Sequence, residues 1–152
     1  MNEVGVKETE MQQKHKVLIV EGDKATRESF QLLFQSMNGV CNSDFVSNPP
    51  EALEKLSQAK DQGKPFDCVF SELDFNGLRG GFDFAKAVKQ EQLAPHFILV
   101  TARLEEVMAI PESERQALGV KAVMGKPNVT RDGITKFIET ARREICEVPA
   151  AV

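Results

Sequence analysis

Five polar side chains of this 152-residue chain have the types and positions that phosphoryl or metal chemistry requires. Each lies within three residues of the end of a short apolar run, and the five are Glu21, Asp23, Glu72, Thr101 and Lys126. Carboxylates, a hydroxyl and an ammonium group can together hold a divalent cation or a phosphoryl group. Any one of them alone is more simply a polar strand end in contact with water, and it is their occurrence together that favours a functional site.

The elements that must position these side chains are five short, buried β-strands. Apolar runs bounded by glycine, proline or asparagine predict strands at 17–20, 40–46, 66–72, 97–100 and 120–124, the second more polar and so nearer a sheet edge. Apolar residues at helical spacing predict helices at about 25–37, from 48 through 56, after 81 and at about 130–146. Pro111 followed by acids predicts a short helix that ends near 118, and the segment 103–110 is expected to be a long loop that could include a helical turn.

The alternation of strand and helix predicts an α/β fold, a doubly wound five-stranded parallel sheet with five helices and strand order 2-1-3-4-5. Ligands bind such a sheet in the crevice at the tips of the first and third strands. Residues 1–14 are polar and aperiodic, which predicts a flexible leader before one domain at 15–147 and a tail at 148–152. No DNA-binding or catalytic domain is expected after Val152, so the function is expected to be a contact made by this domain itself.

Composition argues against several classes of protein. The net charge is -4 and the one basic pair is at 142–143, which speaks against nucleic-acid binding. No apolar run approaches a membrane span and no secretory leader opens the chain, so we expect a cytoplasmic protein without a membrane partner. Three cysteines, Cys41, Cys68 and Cys146, have no metal-binding spacing and are interpreted as reduced thiols.

Four short motifs in this order give a resemblance to a known family. They are VLIVEGD at 17–23, FDCVFSE at 66–72, Thr101-Ala102 and Lys126-Pro127. Through these motifs, the segment at about 16–145 resembles the receiver domain of two-component response regulators, including the stand-alone chemotaxis type. The resemblance implies a flavodoxin-like receiver fold, with an acidic pair that holds Mg²⁺ after the first strand. It also implies a phosphoaccepting aspartate after the third strand, a threonine or serine after the fourth and a lysine before a proline after the fifth.

Thr101 and Lys126 match this pattern, and other positions depart from it. The acidic pair is Glu21-Gly22, so that its second acid is missing, and Glu72 occupies the phosphoacceptor position. An octahedral Mg²⁺ site is intolerant of missing or misplaced oxygens. We therefore expect no cofactor, and at most weak Mg²⁺ binding through Glu21.

The longer side chain at the phosphoacceptor position also has a positive consequence. Glu72 carries one more methylene than aspartate, which puts its carboxylate within reach of Lys126 and Thr101. A permanent Glu72–Lys126 ion pair would resemble a half-activated state. Val123 stands where the family has an aromatic switch residue, and Asn76 stands where a proline is common, so the usual coupling of Thr101 to a ring flip is absent.

The favoured hypothesis is an atypical receiver that is not an enzyme and acts by binding, independently of phosphorylation. Its partner, a protein or a second copy of the chain, would contact the last strand and the flanking helices, near Leu104, Met108 and Ile110. An acidic pocket formed by Glu21, Gly22, Asp23 and Asp74 is expected beside Glu72. The alternative hypothesis is Mg²⁺-dependent phosphorylation on one of these nearby acids, Asp74 or Asp23. A flavin-binding domain of the same architecture is unfavourable because the acids after the first strand would repel phosphate.

Overall fold

The strands form one parallel sheet. The computed structural model describes residues 15–75, 80–126 and 129–139. Its five strands are β1 His15–Val20, β2 Cys41–Val46, β3 Cys68–Glu72, β4 His96–Thr101 and β5 Ala122–Gly125. All four pairings are parallel and the order is β2-β1-β3-β4-β5, which confirms the predicted topology.

The helices lie between and after the strands. They are α1 Lys24–Gln35, α2 Pro49–Asp61, α3 Gly80–Gln90, α4 Leu104–Met108 and α5 Glu112–Ala117, and residues 131–139 are also helical (α6). The described residues thus contain six helical segments, one more than predicted. The predicted continuation of α6 to 146 lies outside the described residues, as do the leader at 1–14, Asn76, Cys146 and the tail at 148–152.

The additional helix, α4, lies in the segment 103–110, where the sequence predicts a long loop with room for a helical turn. Glu105 and Glu106 occupy the first turn of α4, where carboxylates interact favourably with the helix dipole. Val107 is 1% exposed and packs into the core, whereas Met108 next to it is 52% exposed. A single inward-facing residue in a five-residue helix is too little periodicity for the sequence to reveal it.

Side-chain capping fixes where two of the helices begin. Asp23 caps α1 by accepting the backbone N–H of Thr26 at 2.9 Å, and Asn48 caps α2 by accepting that of Glu51 at 2.9 Å. Prolines occupy the first two positions of α2, where their missing N–H groups have no partner to lose. Both helices therefore start directly after the strand ends that carry polar side chains.

The core consists of two apolar clusters, one on each face of the sheet. Alternate strand residues such as Leu18 and Leu99 belong to the cluster under α2 and α3, with Val107 of α4. Their neighbours such as Ile19 and Ile98 belong to the cluster under α1 and α6. Because successive strand residues point to opposite faces, each strand is buried on both sides and its end points directly at the edge of the sheet.

Two of the three cysteines are buried free thiols, as predicted. Burial, with a further contribution from Asp67, raises the pKa of Cys68 to about 12. Burial also raises the pKa of Cys41. Both side chains therefore stay protonated and unreactive at neutral pH.

In the described part of the chain, none of the helices combines the length and the apolar composition needed to cross a membrane.

Candidate functional site

The carboxyl ends of β1, β3 and β5 bring together three charged side chains. The Nζ atom of Lys126 donates to Oε1 of Glu72 at 2.6 Å and lies 3.1 Å from Oε1 of Glu21. The side chains of Glu21, Glu72 and Lys126 are 1%, 16% and 23% exposed, so the group is largely shielded from water. The ion pair predicted between Glu72 and Lys126 is present, and Glu21 is its third member.

Glu21 is fixed in this group by the backbone around it. Its N–H donates to the carbonyl oxygen of Val46 at 3.1 Å, which extends the pairing of β1 with β2 by one residue. Its Oε2 accepts the N–H of Asp23 at 3.1 Å, and its own carbonyl oxygen accepts Nη1 of Arg27 at 2.9 Å. Two hydrogen bonds therefore fix the backbone of Glu21, and a third fixes its carboxylate.

One ammonium group between two carboxylates leaves a net charge of -1 when both acids are ionised. Burial, together with a hydrogen bond to the Glu21 carboxyl group, raises the pKa of Glu72 from 4.5 to about 7, against the opposing effect of Lys126. Burial alone would lower the pKa of Lys126, but its hydrogen bonds to Glu72 and Glu21 outweigh burial and raise it. The lysine thus stays charged, and Glu72 is the group that takes up a proton as the pH falls towards its raised pKa.

Asp23 and Gly22 line a cleft beside this group without joining it. Oδ2 of Asp23 accepts both the N–H and the hydroxyl of Thr26, at 2.9 and 2.7 Å, and these hydrogen bonds lower the pKa of Asp23. Gly22 is exposed, and a Cβ atom added there would lie 3.5 Å from the carbonyl oxygen of Ser47, an ordinary contact. The position of the missing acid therefore has room for a side chain.

The cleft has a volume of about 390 Å³ and is bordered on its other side by Glu72, Asp74 and Phe75. Oδ2 of Asp74 lies 3.6 Å from Nε of Arg103, whose guanidinium also lies 3.8 Å from Glu106. Asp74 is thus paired with Arg103, the residue that precedes α4. The sequence placed Asp23 and Asp74 in one acidic pocket with Glu21, and the structure places them around its rim.

Thr101 and Val123 lie near the site but make other contacts. Thr101 ends β4, is 2% exposed, and its Oγ1 accepts the N–H of Arg103 at 2.8 Å, which ties the strand end to the start of α4. Val123 lies in β5, pairs with Leu99 of β4 and is partly buried against the core under α3. The expected convergence on Glu72 thus holds for Lys126, whereas the hydroxyl of Thr101 is directed to the backbone of the next helix.

A glycine not singled out for this site allows α3 to approach the tip of β3. The N–H of Gly81 donates to the carbonyl oxygen of Leu73 at 2.8 Å. A Cβ atom on Gly81 would lie 2.5 Å from the carbonyl oxygen of Glu72 and 2.7 Å from Cα of Leu73. The Gly80-Gly81 pair predicts a helix start, but the sequence contains no signal for this close approach.

The residues at the site do not fit the Mg²⁺ ion that the family resemblance implies. Gly22 supplies no side-chain oxygen, and the ammonium group of Lys126 lies between Glu21 and Glu72, where a shared cation would have to bind. Within the described ranges, no three histidine, cysteine, aspartate or glutamate side chains are grouped so that they could hold a metal ion. The positive charge between the two carboxylates is supplied by the protein's own lysine.

Solved structures of similar fold cover most of the chain. The chemotaxis response regulator CheY4 of Vibrio cholerae is 21% identical with a TM-score of 0.64, over 85% of this chain and 99% of that one. The receiver domain of the histidine kinase CKI1 from Arabidopsis thaliana, solved with Mg²⁺ and BeF₃⁻, is 22% identical with a TM-score of 0.59, over 83% and 90%. No curated protein sequence matches the chain. At these identities the structural likeness shows the fold alone.

The family assignment rests on the sequence itself. The model of the response regulator receiver domain matches residues 17–139, which contain all five strands apart from the first two residues of β1. The matched range also contains Glu21, Glu72, Thr101 and Lys126, the positions at which the strand ends carry polar side chains. The chain belongs to the response regulator receiver domain family, the receiver modules of two-component signalling.

Proposed function

We propose that this receiver domain acts as a protein-binding module whose state is set by an internal ion pair, without transfer of a phosphoryl group to position 72. The observation that carries the proposal is the 2.6 Å contact between Glu72 and Lys126. A glutamate here is already ionically paired, and its carboxylate fills space that a shorter aspartate would leave for a phosphoryl group. The domain then acts by binding rather than by catalysis.

Two further features support the same interpretation. Gly22 removes a ligand from the position where the family resemblance implies a metal-binding acid, and phosphoryl transfer depends on a divalent cation to neutralise the developing charge. Val123 provides no ring whose reorientation could report on the site. Both the chemistry and its usual readout are therefore compromised by substitutions at separate positions.

The alternative hypothesis, phosphorylation on a nearby acid, is less favourable for both candidates. The Asp23 carboxylate is occupied in capping α1, and phosphorylation would break the two hydrogen bonds to Thr26. Asp74 is more accessible from the cleft but is paired with Arg103 rather than Lys126. The short contact with Lys126 is made by Glu72, whereas Asp23 contacts Thr26 and Asp74 contacts Arg103.

Incubation with acetyl phosphate and Mg²⁺ should leave the wild-type chain and the Glu72→Asp variant unmodified, as followed by intact mass spectrometry. The double variant Gly22→Asp/Glu72→Asp should become phosphorylated, because it restores both the acceptor and the second acid at a position with room for it. In parallel, Mg²⁺ titration followed by amide shifts near Glu21 should show saturation at roughly low-millimolar concentration only for the double variant.

Three outcomes separate the hypotheses. Modification of the wild-type chain that is lost in Asp74→Asn or in Asp23→Asn would establish the alternative. Modification of Glu72→Asp alone would show that Gly22 is not limiting. If the double variant is folded and binds Mg²⁺ but remains unmodified, another feature of the site blocks the reaction.

The surface proposed to contact a partner centres on α4. Met108 is 52% exposed, and Leu104 and Ile110 on either side of it are partly buried. Nη1 of Arg115 in α5 donates to the carbonyl oxygen of Ile110, which holds the two short helices together. An exposed methionine on a rigid pair of helices is a suitable contact point for a protein partner. Since Ile110 is partly covered, Met108 is the better position to test.

Met108→Glu should reduce partner capture from the source cell at least several-fold and shift the melting temperature by no more than a degree or two, as roughly expected for a surface change. Leu32→Glu is the matched control, because Leu32 is 74% exposed on α1, away from α4. Sedimentation velocity of both variants tests the homodimer. Equal loss of capture in the two variants would contradict a contact centred on α4, and a large fall in melting temperature for Met108→Glu would assign that residue to the core.

A further inference from the structure

A second cleft lies at the opposite end of the sheet from Glu72. Its volume is about 540 Å³, and it opens between the end of α3, the start of β4 and the segment that joins α5 to β5. This volume is within the usual range for small-molecule pockets. The strand-tip residues do not contribute to it, so it is independent of the function proposed above.

The floor of this cleft is apolar. Val88, Phe97 and Val120 line it, and each of these residues is almost completely buried within the core under α3. Ala94 and Pro95 extend the apolar lining towards the entrance. A ligand with a flat or short apolar body would therefore contact side chains that are already rigidly packed.

The rim is polar and lacks acids. The described residues that line the cleft include two lysines, Lys89 and Lys121, and two primary amides, Gln92 and Gln116, but no carboxylate. The absence of acids from this lining is unusual for a chain with 23 acidic residues and a net charge of -4. The charge around the entrance is thus complementary to an anion.

Lys89 is held at this rim by a structural contact. Its Nζ donates to the carbonyl oxygens of Gln116 and Ala117 at 3.0 and 3.4 Å, at the C-terminal end of α5. The ammonium group is thereby fixed between α3 and α5, on the edge of the apolar floor. A bound anion would meet a cation whose position is already set.

The backbone on either side of the cleft adopts left-handed conformations. Gly119 has a φ of +91°, and a Cβ atom there would lie 2.8 Å from the carbonyl oxygen of Ala85, so only glycine allows this wall to pack against α3. Gln92 has a φ of 53° and is the one non-glycine residue with positive φ in the described part of the chain. Glycine or asparagine is the usual choice at such a position after a helix, whereas glutamine adds a longer side chain that carries an amide to the rim.

We propose that this cleft binds a small amphipathic organic anion, an aromatic or short aliphatic carboxylate. Its apolar body would lie on Phe97 and Val120, and its carboxylate would face Lys89 and Lys121. The amides of Gln92 and Gln116 supply hydrogen-bond donors at the same rim. The apolar floor and the acid-free, lysine-containing rim together define this class of ligand.

Titration of the full chain with 2-naphthoate and with octanoate, followed by amide shifts, tests the proposal. Saturable shifts should concentrate at residues 88–97 and 116–121, with a dissociation constant of roughly 1 mM or tighter for a ligand of this size. The neutral analogue 2-naphthamide should bind at least threefold more weakly. Vesicles containing phosphatidylglycerol present negative charge on a lipid surface and should give no shifts at these residues.

Two variants and a control determine the outcome. Lys121→Gln should weaken 2-naphthoate roughly threefold to fivefold and leave 2-naphthamide unchanged. Ala94→Phe should fill the cleft and abolish both, with its melting temperature as a check on folding. Lys86→Gln, on α3 but outside the cleft, should have no effect. Equal affinity for acid and amide, equal effects of Lys86→Gln and Lys121→Gln, or shifts only with vesicles would each overturn the proposal.

Discussion

Replacing Lys126 with methionine is expected to lower the free energy of unfolding by about 2–4 kcal/mol at about pH 8. The variant keeps the aliphatic part of the side chain and removes the ammonium group that separates Glu21 from Glu72. Two shielded carboxylates then face each other without a cation, and an uncompensated buried charge costs more than the original ion pair contributes. Urea unfolding of the wild type and the variant measures the difference.

The loss should become smaller as the pH falls. The pKa of Glu72 is raised in the folded state from 4.5 to about 7. Between these two values the folded chain holds a proton that the unfolded chain releases, so the contribution of Glu72 to stability decreases as pH rises through this window. Without Lys126 the pKa of Glu72 should rise further, and a protonated Glu72 removes the repulsion at about pH 5.

A second substitution provides the control for this prediction. Lys126→Met/Glu72→Gln has one buried carboxylate fewer and should recover most of the lost stability at about pH 8. Lys86→Met removes an exposed lysine on α3 and should change stability by less than about 0.5 kcal/mol. If Lys126→Met is as stable as the wild type at both pH values, the three charges are not coupled in the manner their distances imply.

Gly81→Ala is expected to destabilise the fold by about 2–3 kcal/mol, a large effect for one added methyl group. The new Cβ would lie 2.5 to 2.8 Å from backbone atoms of Glu72 and Leu73. Backbone atoms cannot rotate away as a flexible side chain can, so α3 must move away from the tip of β3. The same displacement should disturb the Glu72–Lys126 contact and shift the amide resonances around Glu21.

The adjacent glycine offers a matched comparison. A Cβ atom on Gly80 would lie 3.7 Å from the ring of Phe75, an ordinary contact, so Gly80→Ala should be neutral or slightly stabilising in urea unfolding. Equal stability of the two alanine variants would show that the approach of α3 to β3 is not as tight as these distances indicate.

The parts of the fold that are predictable from sequence are those with a clear apolar pattern, either a continuous run or helical spacing. The strands appear as apolar runs such as 17–20 and 97–100 because they are buried on both faces, and their order follows from right-handed crossovers. The pairing of Glu72 with Lys126 is predictable because Glu72 ends β3 and Lys126 follows β5, and the ends of these strands meet at one edge of the sheet. The contact of Glu21 with Lys126 depends on a further backbone hydrogen bond to β2 that no sequence pattern records.

Each difference between the sequence-based expectation and the structure has a physical reason. The sequence groups Asp23 with the acidic pocket. Aspartate directly before a helix is also a common N-cap, and in the structure Asp23 caps α1. The sequence predicts no more than a helical turn at α4, because Val107 is its one buried residue and leaves no apolar spacing to detect. The cleft beside Phe97 could not be foreseen, because its lining comes from three separate segments that only the fold brings together.

The lysine held between two glutamates has a consequence for how information could pass through this domain. A phosphorylated switch records an upstream event for as long as the modification lasts, and so it acts as a memory with a lifetime. A contact made entirely of the chain's own side chains has no such lifetime, because each copy acquires it on folding and only the protonation of Glu72 then changes, with the pH. Under the proposed function, the strength of the signal is therefore set by the number of folded copies, so that synthesis and proteolysis take the place of kinase and phosphatase.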